Sequence, residues 1–95
     1  MVAYAILEVD VHDIGEYLLH QQRVAPLLEA AGARYLARGG ESRDYEGGEE
    51  PGRLILVEFP SLAAMDAFYN GDAYGELRPH RDTCSSTRII AVEGL

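Results

Sequence analysis

The chain has 95 residues, which predicts one domain with a thin core, because a chain of this size buries only about 60–65% of the surface that its unfolded form exposes. Sixteen acidic against eight basic residues give a net charge of -8, and a field of that sign repels nucleic acid and anionic membranes. The single cysteine, Cys84, excludes an intrachain disulfide and a thiolate metal cluster and suits a reducing cytoplasm.

The first predicted strand covers residues 2–9, where β-branched and aromatic side chains are frequent. It lacks a basic start and is too short to span a membrane, so it is typical of neither a signal peptide nor a membrane helix. Apolar residues at helical spacing follow from Asp13, which caps a helix together with Glu16, and Gly32 ends this helix. Pro26 lies inside it and predicts a kink.

The rest of the chain predicts three more strands, with a helical segment before the last of them. A strand over residues 33–40, with a bend or bulge at its two glycines, leads through an acidic connection to a strand over residues 53–59. Ser61 caps the next helix, and a short helical piece continues up to Pro79. The last strand covers residues 87–95. This order predicts an α+β fold, a ferredoxin-like βαββαβ sandwich with a four-stranded antiparallel sheet and its helices on one face.

Both faces of the predicted sheet are apolar, although the helices can cover only one of them. In the third strand, for example, one face takes Ile55 and Val57 and the other takes Leu54 and Leu56. An uncovered apolar sheet face is a partner-binding surface, and the simplest partner is a second copy related by two-fold symmetry. The sequence therefore predicts a homodimer joined through its sheet faces.

Three carboxylates, Glu8, Glu58 and Glu93, are expected near strand ends on that same face, with Arg38 projecting towards them. A buried carboxylate needs a partner or a raised pKa. One interpretation is an ion-pair network at the rim of the dimer. The other is a pocket between the two sheets, where Arg38 holds an anion and Glu8 or Glu58 transfers a proton.

Tyrosines, arginines and a histidine crowd the segment that follows the third strand. Arg78, His80 and Arg81 could hold a carboxylate or a phosphate, or could interact with the negative end of their own helix. His80 is a further proton-transfer candidate because Asp82 is near it, although adjacent helical positions point about 100° apart. The candidate ligand-binding residues are Arg38, Tyr69, Tyr74 and Arg81.

The remaining reactive side chains predict no separate site. His12 is expected in a turn and His20 on the polar stripe of the first helix, both at the solvated surface. Cys84 is expected to be a small buried residue without a nucleophilic role. No spacing of histidines and carboxylates marks a metal or haem site, and no glycine-rich phosphate loop occurs, so we expect neither a metal nor a cofactor.

The segments AYAILEVDV, GARYLARGG, RLILVEFPSLAAMDAFYNGDAY and TRIIAVEGL resemble, in this order and spacing, the DUF1330 family of the dimeric α+β barrel superfamily. The resemblance implies a single DUF1330-like domain over residues 1–95, a ferredoxin-like protomer and a dimeric barrel. It implies no reaction, because the superfamily includes cofactor-free monooxygenases, isomerases, haem-binding proteins and ligand-binding regulators. Family members tend to have a tryptophan where this chain has Glu49. If that tryptophan lines a pocket or packs the hairpin in the family, this chain lacks the side chain for either role.

Three functions fit these observations. The first is a cofactor-independent enzyme that acts on a small oxygenated or aromatic metabolite in the barrel pocket. The second is a binding protein that uses the same pocket without catalysis. The third is a structural or interaction dimer with no pocket chemistry. The partners that the sequence predicts are a second copy of the chain and a small, anionic molecule, and neither nucleic acid nor membrane.

Overall fold

The computed structural model of the chain describes residues 1–48 and 52–95. The elements within these residues are β1 (Ala3–Val11), α1 (Ile14–Ala30), β2 (Arg34–Arg38), β3 (Arg53–Phe59), α2 (Leu62–Tyr69), α3 (Asp72–Cys84) and β4 (Ser85–Glu93). None of the described helices combines the length and the hydropathy that crossing a membrane requires. Glu49, the departure from the family pattern, lies outside the described residues.

The four strands form one antiparallel sheet in the order β2-β3-β1-β4, which confirms the predicted ferredoxin-like arrangement. The central strand β1 pairs with β3 on one side and with β4 on the other. Residues directly opposite one another across an antiparallel pair share a face, so the register assigns each strand residue to one side of the sheet. Ala5, for example, lies opposite both Val57 and Ala91, and all three face the helices.

The predicted signals at the helix ends are confirmed. The Asp13 side chain accepts a hydrogen bond from the backbone N–H of Glu16 at 3.2 Å, and Ser61 caps α2 in the same way at 3.0 Å. Gly32 follows α1 with a φ of 75°, a left-handed conformation that favours glycine. Both N-terminal caps satisfy backbone donors that would otherwise be free, so these helices begin where the sequence predicts.

The third helix is longer than predicted. The sequence places its end at Pro79, whereas α3 continues through this proline to Cys84. Pro79 lies on the exposed side of α3, and Tyr74, Arg81 and Cys84 on the other side are buried. The packing of this buried side outweighs the roughly 3 kcal/mol that an interior proline costs.

The core lies between the helices and the covered side of the sheet. Its fully buried strand residues include Ala3, Ala5, Val9, Ile55, Val57 and Phe59, and its helical residues include Tyr17, Val24, Leu28, Met65, Tyr74 and Cys84. Phe59 contacts Phe68 and Tyr69, with ring centroids 5.5 and 5.7 Å apart. These aromatic contacts fix α2 against β3 and position the tyrosines of the site described below.

The opposite side of the sheet, which we call the open face, is also largely apolar, as predicted. Its residues include Tyr4, Ile6, Glu8, Arg34, Ala37, Leu54, Leu56, Glu58, Arg88, Ile90 and Val92. Ile90 and Val92 are 41% and 53% exposed in the single chain. Glu93 was expected on this face, but it pairs with Ala3 and therefore lies on the helix-covered side.

Strand β2 contains a bulge that changes the side on which its last residues lie. The register slips between Tyr35 and Ala37, upstream of the two glycines where the sequence predicts a bend. Because of the extra residue, Arg34 lies on the open face but Arg38 pairs with Ile55 and lies on the helix-covered side. The expected projection of Arg38 towards the open face is therefore wrong.

Candidate functional site: a histidine and arginine cavity under the helices

The helices and the sheet enclose an inner cavity of about 30 Å³. Apolar strand residues form its floor, and the polar residues in its walls are Tyr17, His20, Gln21, Tyr35, Tyr69, Tyr74, Arg81 and Thr87. A buried water needs about 10–15 Å³, so the inner cavity has room for two waters but not for an aromatic ring. The polar groups therefore face one small enclosed space, in contrast to the predicted pocket between two sheets.

His20 is buried in this cavity, with 5% of its surface exposed. Its Nδ1 atom has no hydrogen-bond partner among the described residues. Burial, and after it the positive charge of Arg81, lower the pKa of His20 to about 4. At neutral pH the imidazole is therefore uncharged, and one of its ring nitrogens is available to a molecule that enters the cavity.

The expectation that His20 lies at the solvated surface is wrong. His20 follows Tyr17 by three residues and precedes Val24 by four, so all three lie on the same side of α1. The predicted apolar stripe contained Tyr17 and Val24 but also Ile14 and Leu18, which are 56% and 46% exposed, and it left His20 out. The spacing from Tyr17 and Val24 was the sequence signal that could have placed His20 inside.

Arg81 is a second buried polar residue of the cavity, with 6% exposure. Its Nη1 donates a hydrogen bond to the Tyr74 hydroxyl, and its Nε and Nη2 donate to Asp82 Oδ1 at 3.2 and 2.9 Å. A buried charge is stable only when it is paired and hydrogen-bonded, and Asp82 supplies that pairing. The guanidinium keeps N–H groups beyond these three bonds, so it can also bind an anion.

The tyrosines of the site are neutral donors. Tyr69 and Tyr74 meet edge to face, with ring centroids 5.0 Å apart. Burial raises the pKa of Tyr69 far above its ordinary value, and it also raises the pKa of Tyr74, although Arg81 opposes the shift at Tyr74. Because Tyr74 accepts from Arg81, its own hydroxyl proton remains available for a ligand.

An outer cleft of about 330 Å³ lies between α2, α3 and the edge strand β4. This volume is at the lower limit of small-molecule sites. The outer cleft and the inner cavity share four lining residues, namely Tyr69, Tyr74, Arg81 and Thr87. These four residues form a common wall, so a molecule in the outer cleft would contact the same arginine and tyrosines that line the inner cavity together with His20.

The structure brings together three of the predicted site residues, Tyr69, Tyr74 and Arg81, at the common wall. It does not bring His80 there. His80 Nε2 lies 2.7 Å from Glu16 Oε2, and its Nδ1 lies 3.5 Å from Nη1 of Arg23, so it connects α3 to α1. The nearby Asp82 pairs with Arg81 rather than with His80.

The predicted carboxylates Glu8 and Glu58 lie on the open face, on the other side of the sheet from the cavity. Each is paired with the arginine directly opposite: Arg88 lies 3.4 Å from Glu8, and Arg34 lies 3.2 Å from Glu58. This geometry supports the ion-pair interpretation of the two carboxylates. Arg38, the predicted anion anchor, lies over the Tyr35 ring at 4.6 Å, on the helix-covered side but away from the common wall.

Sequence reasoning missed most of the polar lining of the cavity. Tyr17, Gln21 and Tyr35 were not among the candidates, and Tyr17 shares with His20 the helical spacing that indicates burial. Among the residues that the structure describes, no three histidine, cysteine, aspartate or glutamate side chains come together as metal ligands. The chemistry of the site is thus that of one neutral imidazole, one paired guanidinium and several phenols.

The fold and the site define a ferredoxin-like α+β protein with a small-molecule-sized cleft between its helices and the edge of its sheet. The chain belongs to the DUF1330 family, a domain of unknown function, whose family model matches residues 2–95. This match confirms the resemblance seen in the sequence. None of the curated proteins compared with the chain matches it significantly.

Solved structures share the fold. A protein of unknown function from Rhodopseudomonas palustris superposes with a TM-score of 0.81 at 19% identity, over 99% of this chain and 82% of that one. A dimeric ferredoxin-like protein of unknown function from Jannaschia sp. CCS1 superposes with a TM-score of 0.72 at 14% identity, over 99% of this chain and 100% of that one. SnoaB, a cofactor-independent oxygenase from Streptomyces nogalater, superposes with a TM-score of 0.66 at 9% identity, over 99% of this chain and 92% of that one. At these identities the likeness shows the fold alone.

Proposed function

We propose that the protein is a cofactor-independent enzyme that binds a small, oxygenated aromatic or enolic metabolite in the outer cleft and removes an acidic proton from it. The observation that carries the proposal is the buried, neutral His20, which lines the same cavity as Arg81 and whose Nδ1 has no partner among the described residues. His20 is not among the described residues that line the outer cleft, so a water in the inner cavity would carry the proton from the substrate to the neutral imidazole. The paired guanidinium of Arg81 can stabilise the anion that is left.

The pKa of His20 fits this role once a substrate is bound. Burial and the charge of Arg81 keep the pKa of the free histidine at about 4, which makes it a weak base in the free protein. A substrate oxyanion beside Arg81 would neutralise that charge and place a negative charge near the imidazole, and both changes raise the pKa of His20. Proton uptake by His20 is therefore coupled to binding of an anion at the common wall.

The site also sets the kind of substrate. Tyr69 and Tyr74 offer aromatic faces and edges at the common wall, which favours a planar ring. Arg81 and the Tyr74 hydroxyl are hydrogen-bond donors, which favours an acidic hydroxyl or a carbonyl on that ring. The fold that the chain shares with SnoaB makes oxygen uptake the first reaction to test.

We further propose that two copies assemble through their open faces. The open face is apolar at its centre, and the pairs Arg88–Glu8 and Arg34–Glu58 neutralise its charges within one chain, which lowers the cost of covering them. The protein from Jannaschia, which has the same fold, is described as dimeric, and this supports a dimer. The dimer would leave the inner cavity intact, because the cavity lies on the other side of each sheet.

A binding protein without catalysis is the second candidate. It is favoured by the position of Glu8 and Glu58, because these predicted proton-transfer carboxylates lie across the sheet and His20 alone remains as a base in the cavity.

The two candidates differ in turnover. We would incubate the protein with a panel of hydroxylated aromatic acids and enols and follow oxygen consumption and product mass. The enzyme proposal predicts turnover that His20→Gln abolishes while binding persists, with the exposed His12→Gln as the matched control. Binding of a panel member by the wild type with no turnover anywhere in the panel would favour the binding protein.

A further inference from the structure

Two arginines lie near each other at the β2–β3 end of the helix-covered side, distinct from the common wall. Arg53 pairs with Val9 of β1, and the bulge in β2 places Arg38 opposite Ile55, two residues along β3 from Arg53. Without the bulge, Arg38 would lie on the open face together with Arg34. The irregularity of β2 therefore brings a second guanidinium to the same side as Arg53.

Aromatic rings orient both guanidinium groups. The Cζ atom of Arg38 lies 4.6 Å from the centre of the Tyr35 ring, and that of Arg53 lies 5.9 Å from the centre of the Tyr17 ring. Stacking of this kind restricts the side chains of arginines and leaves their N–H groups directed outward from the ring. Two positive charges are thus held at this end of the sheet by the tyrosines that also line the inner cavity.

Neither arginine is neutralised by a described carboxylate. The ion pairs within residues 1–48 and 52–95 involve Arg34, Arg43, Arg81 and Arg88, but not Arg38 or Arg53. The Nε atom of Arg53 and the Nε2 atom of Gln21 are buried and have no hydrogen-bond partner among the described residues. A buried donor costs free energy unless an acceptor atom binds it. Two arginines without a described carboxylate partner are also unexpected in a chain whose net charge is -8.

The backbone leaves space for Arg53. Gly39 has a φ of 70°, and a Cβ atom placed on it would lie 2.5 Å from Cζ of Arg53. The glycine thus serves both a left-handed turn and the position of the guanidinium. An alanine at this position would have to displace the Arg53 side chain.

We infer that this end of the sheet is a second ligand site, which binds the oxyanion group of a small molecule, a carboxylate or a phosphate, through Arg38 and Arg53. Gln21 and the hydroxyls of Tyr17 and Tyr35 would supply further donors. Burial raises the pKa of both tyrosines, so their hydroxyls remain protonated and can donate to an anion. This site stands apart from the proposed function, because its arginines are not part of the common wall.

The test is a titration followed by the arginine Nε–H signals in ¹H–¹⁵N NMR spectra. Inorganic phosphate and benzoate are added separately, against sodium chloride at the same ionic strength, and Arg38→Lys and Arg53→Lys assign the signals. We expect the signals of Arg38 and Arg53 to shift together with one dissociation constant. Arg38→Gln and Arg53→Gln should each weaken that constant about tenfold or more.

The control is Arg43→Gln, because Arg43 is exposed and pairs with Glu41. This variant should bind the probe as the wild type does. A response to phosphate alone or to benzoate alone would assign the class of oxyanion, and either response supports the site. Signals of Arg38 and Arg53 that move with neither probe, or an equal loss in Arg43→Gln, would overturn it.

Alanine variants of two glycines separate the effect of backbone strain from the effect of displacing the Arg53 side chain. Gly39 and Gly48 have nearly equal φ values of 70° and 74°, but a Cβ atom on Gly48 would meet none of the described residues within 4 Å. Gly39→Ala should therefore weaken binding of the probe severalfold, whereas Gly48→Ala, with similar backbone strain, should not. Equal affinities of the two variants for the probe would show that displacing the Arg53 side chain does not affect anion binding.

The site can fail without affecting the proposed function. His20→Gln should leave the titration of Arg38 and Arg53 unchanged, and loss of the titration would say nothing against proton transfer at the common wall.

Discussion

The guanidinium of Arg81 donates a hydrogen bond to the hydroxyl of Tyr74 two turns earlier on α3. The i to i+7 spacing places both side chains on the buried side of that helix, between the inner cavity and the outer cleft. The contact connects stability with function, because the same hydroxyl that satisfies the buried charge also fixes the donors that a substrate would meet.

Tyr74→Phe tests this connection. The change removes an acceptor from a buried, charged donor, so we expect the free energy of unfolding to fall by about 1–3 kcal/mol in urea denaturation. Tyr45→Phe is the matched control, since Tyr45 is 86% exposed and the loss of its hydroxyl should leave stability almost unchanged. Equal stabilities of the two variants would show that Arg81 finds its partners elsewhere.

The pH dependence of stability tests the burial of His20. The folded protein disfavours protonation because the pKa of His20 is about 4, whereas the ordinary value in the unfolded chain is 6.5. The unfolded state therefore takes up a proton first as the pH falls, and His20 contributes stability that is present above pH 6.5 and is lost progressively towards pH 4. From these two values the loss at pH 5.5 is about 1.4 kcal/mol.

The measurement is the difference in unfolding free energy between the wild type and His20→Gln at pH 7.5 and at pH 5.5. We expect the wild type to lose about 1.4 kcal/mol relative to the variant between these two conditions. The same comparison with His12→Gln controls for removal of an exposed histidine. A difference that does not change with pH would place His20 in contact with water.

The dimer proposal predicts that substitutions of two similarly exposed apolar residues have different effects on the assembly. Ile90 lies on the open face, and Leu19 lies on α1, with similar exposures of 41% and 42%. Ile90→Glu should convert the dimer into monomers in native mass spectrometry, because it buries an unpaired charge at the proposed interface. Leu19→Glu should leave the dimer intact, and dissociation by Leu19→Glu alone would move the interface to α1.

The cross-strand pair of Arg34 and Glu58 should contribute little to the stability of a single chain. Arg34 is 70% exposed at its side chain and Glu58 is 21% exposed, so solvent screens the pair. A double-mutant cycle with Arg34→Gln and Glu58→Gln in the monomeric Ile90→Glu background should give a coupling below about 1 kcal/mol. A much larger coupling energy would mean that the pair stabilises the monomer substantially.

The sequence predicts most of the fold because its signals are local. Asp13, Ser61 and Gly32 mark the helix ends by chemistry that acts within one turn. The two apolar faces of β3 likewise predict the open face, because the alternation of a strand has a fixed period of two. These features do not depend on contacts between distant parts of the chain.

The site is less predictable because it depends on tertiary contacts. The burial of His20 depends on which side of α1 packs on the sheet, and exposed apolar residues such as Leu18 obscure that choice. The side taken by Arg38 depends on a bulge of one residue between Tyr35 and Ala37, upstream of the two glycines that indicate a bend in the sequence. The continuation of α3 beyond Pro79 depends on the packing of Arg81 and Cys84.

The central claim is that an acidic aromatic molecule bound at the common wall gives its proton to His20. The most direct measurement is ¹⁵N NMR of the histidine rings at pH 7.5 during titration with 4-hydroxybenzaldehyde and related phenols, whose hydroxyl group is acidic and still partly protonated at this pH. The account predicts that the His20 ring changes from neutral imidazole to imidazolium as the cleft is filled, and that the ring of His80 does not respond in this way. A His20 ring that stays neutral while these compounds bind beside Arg81 would contradict it.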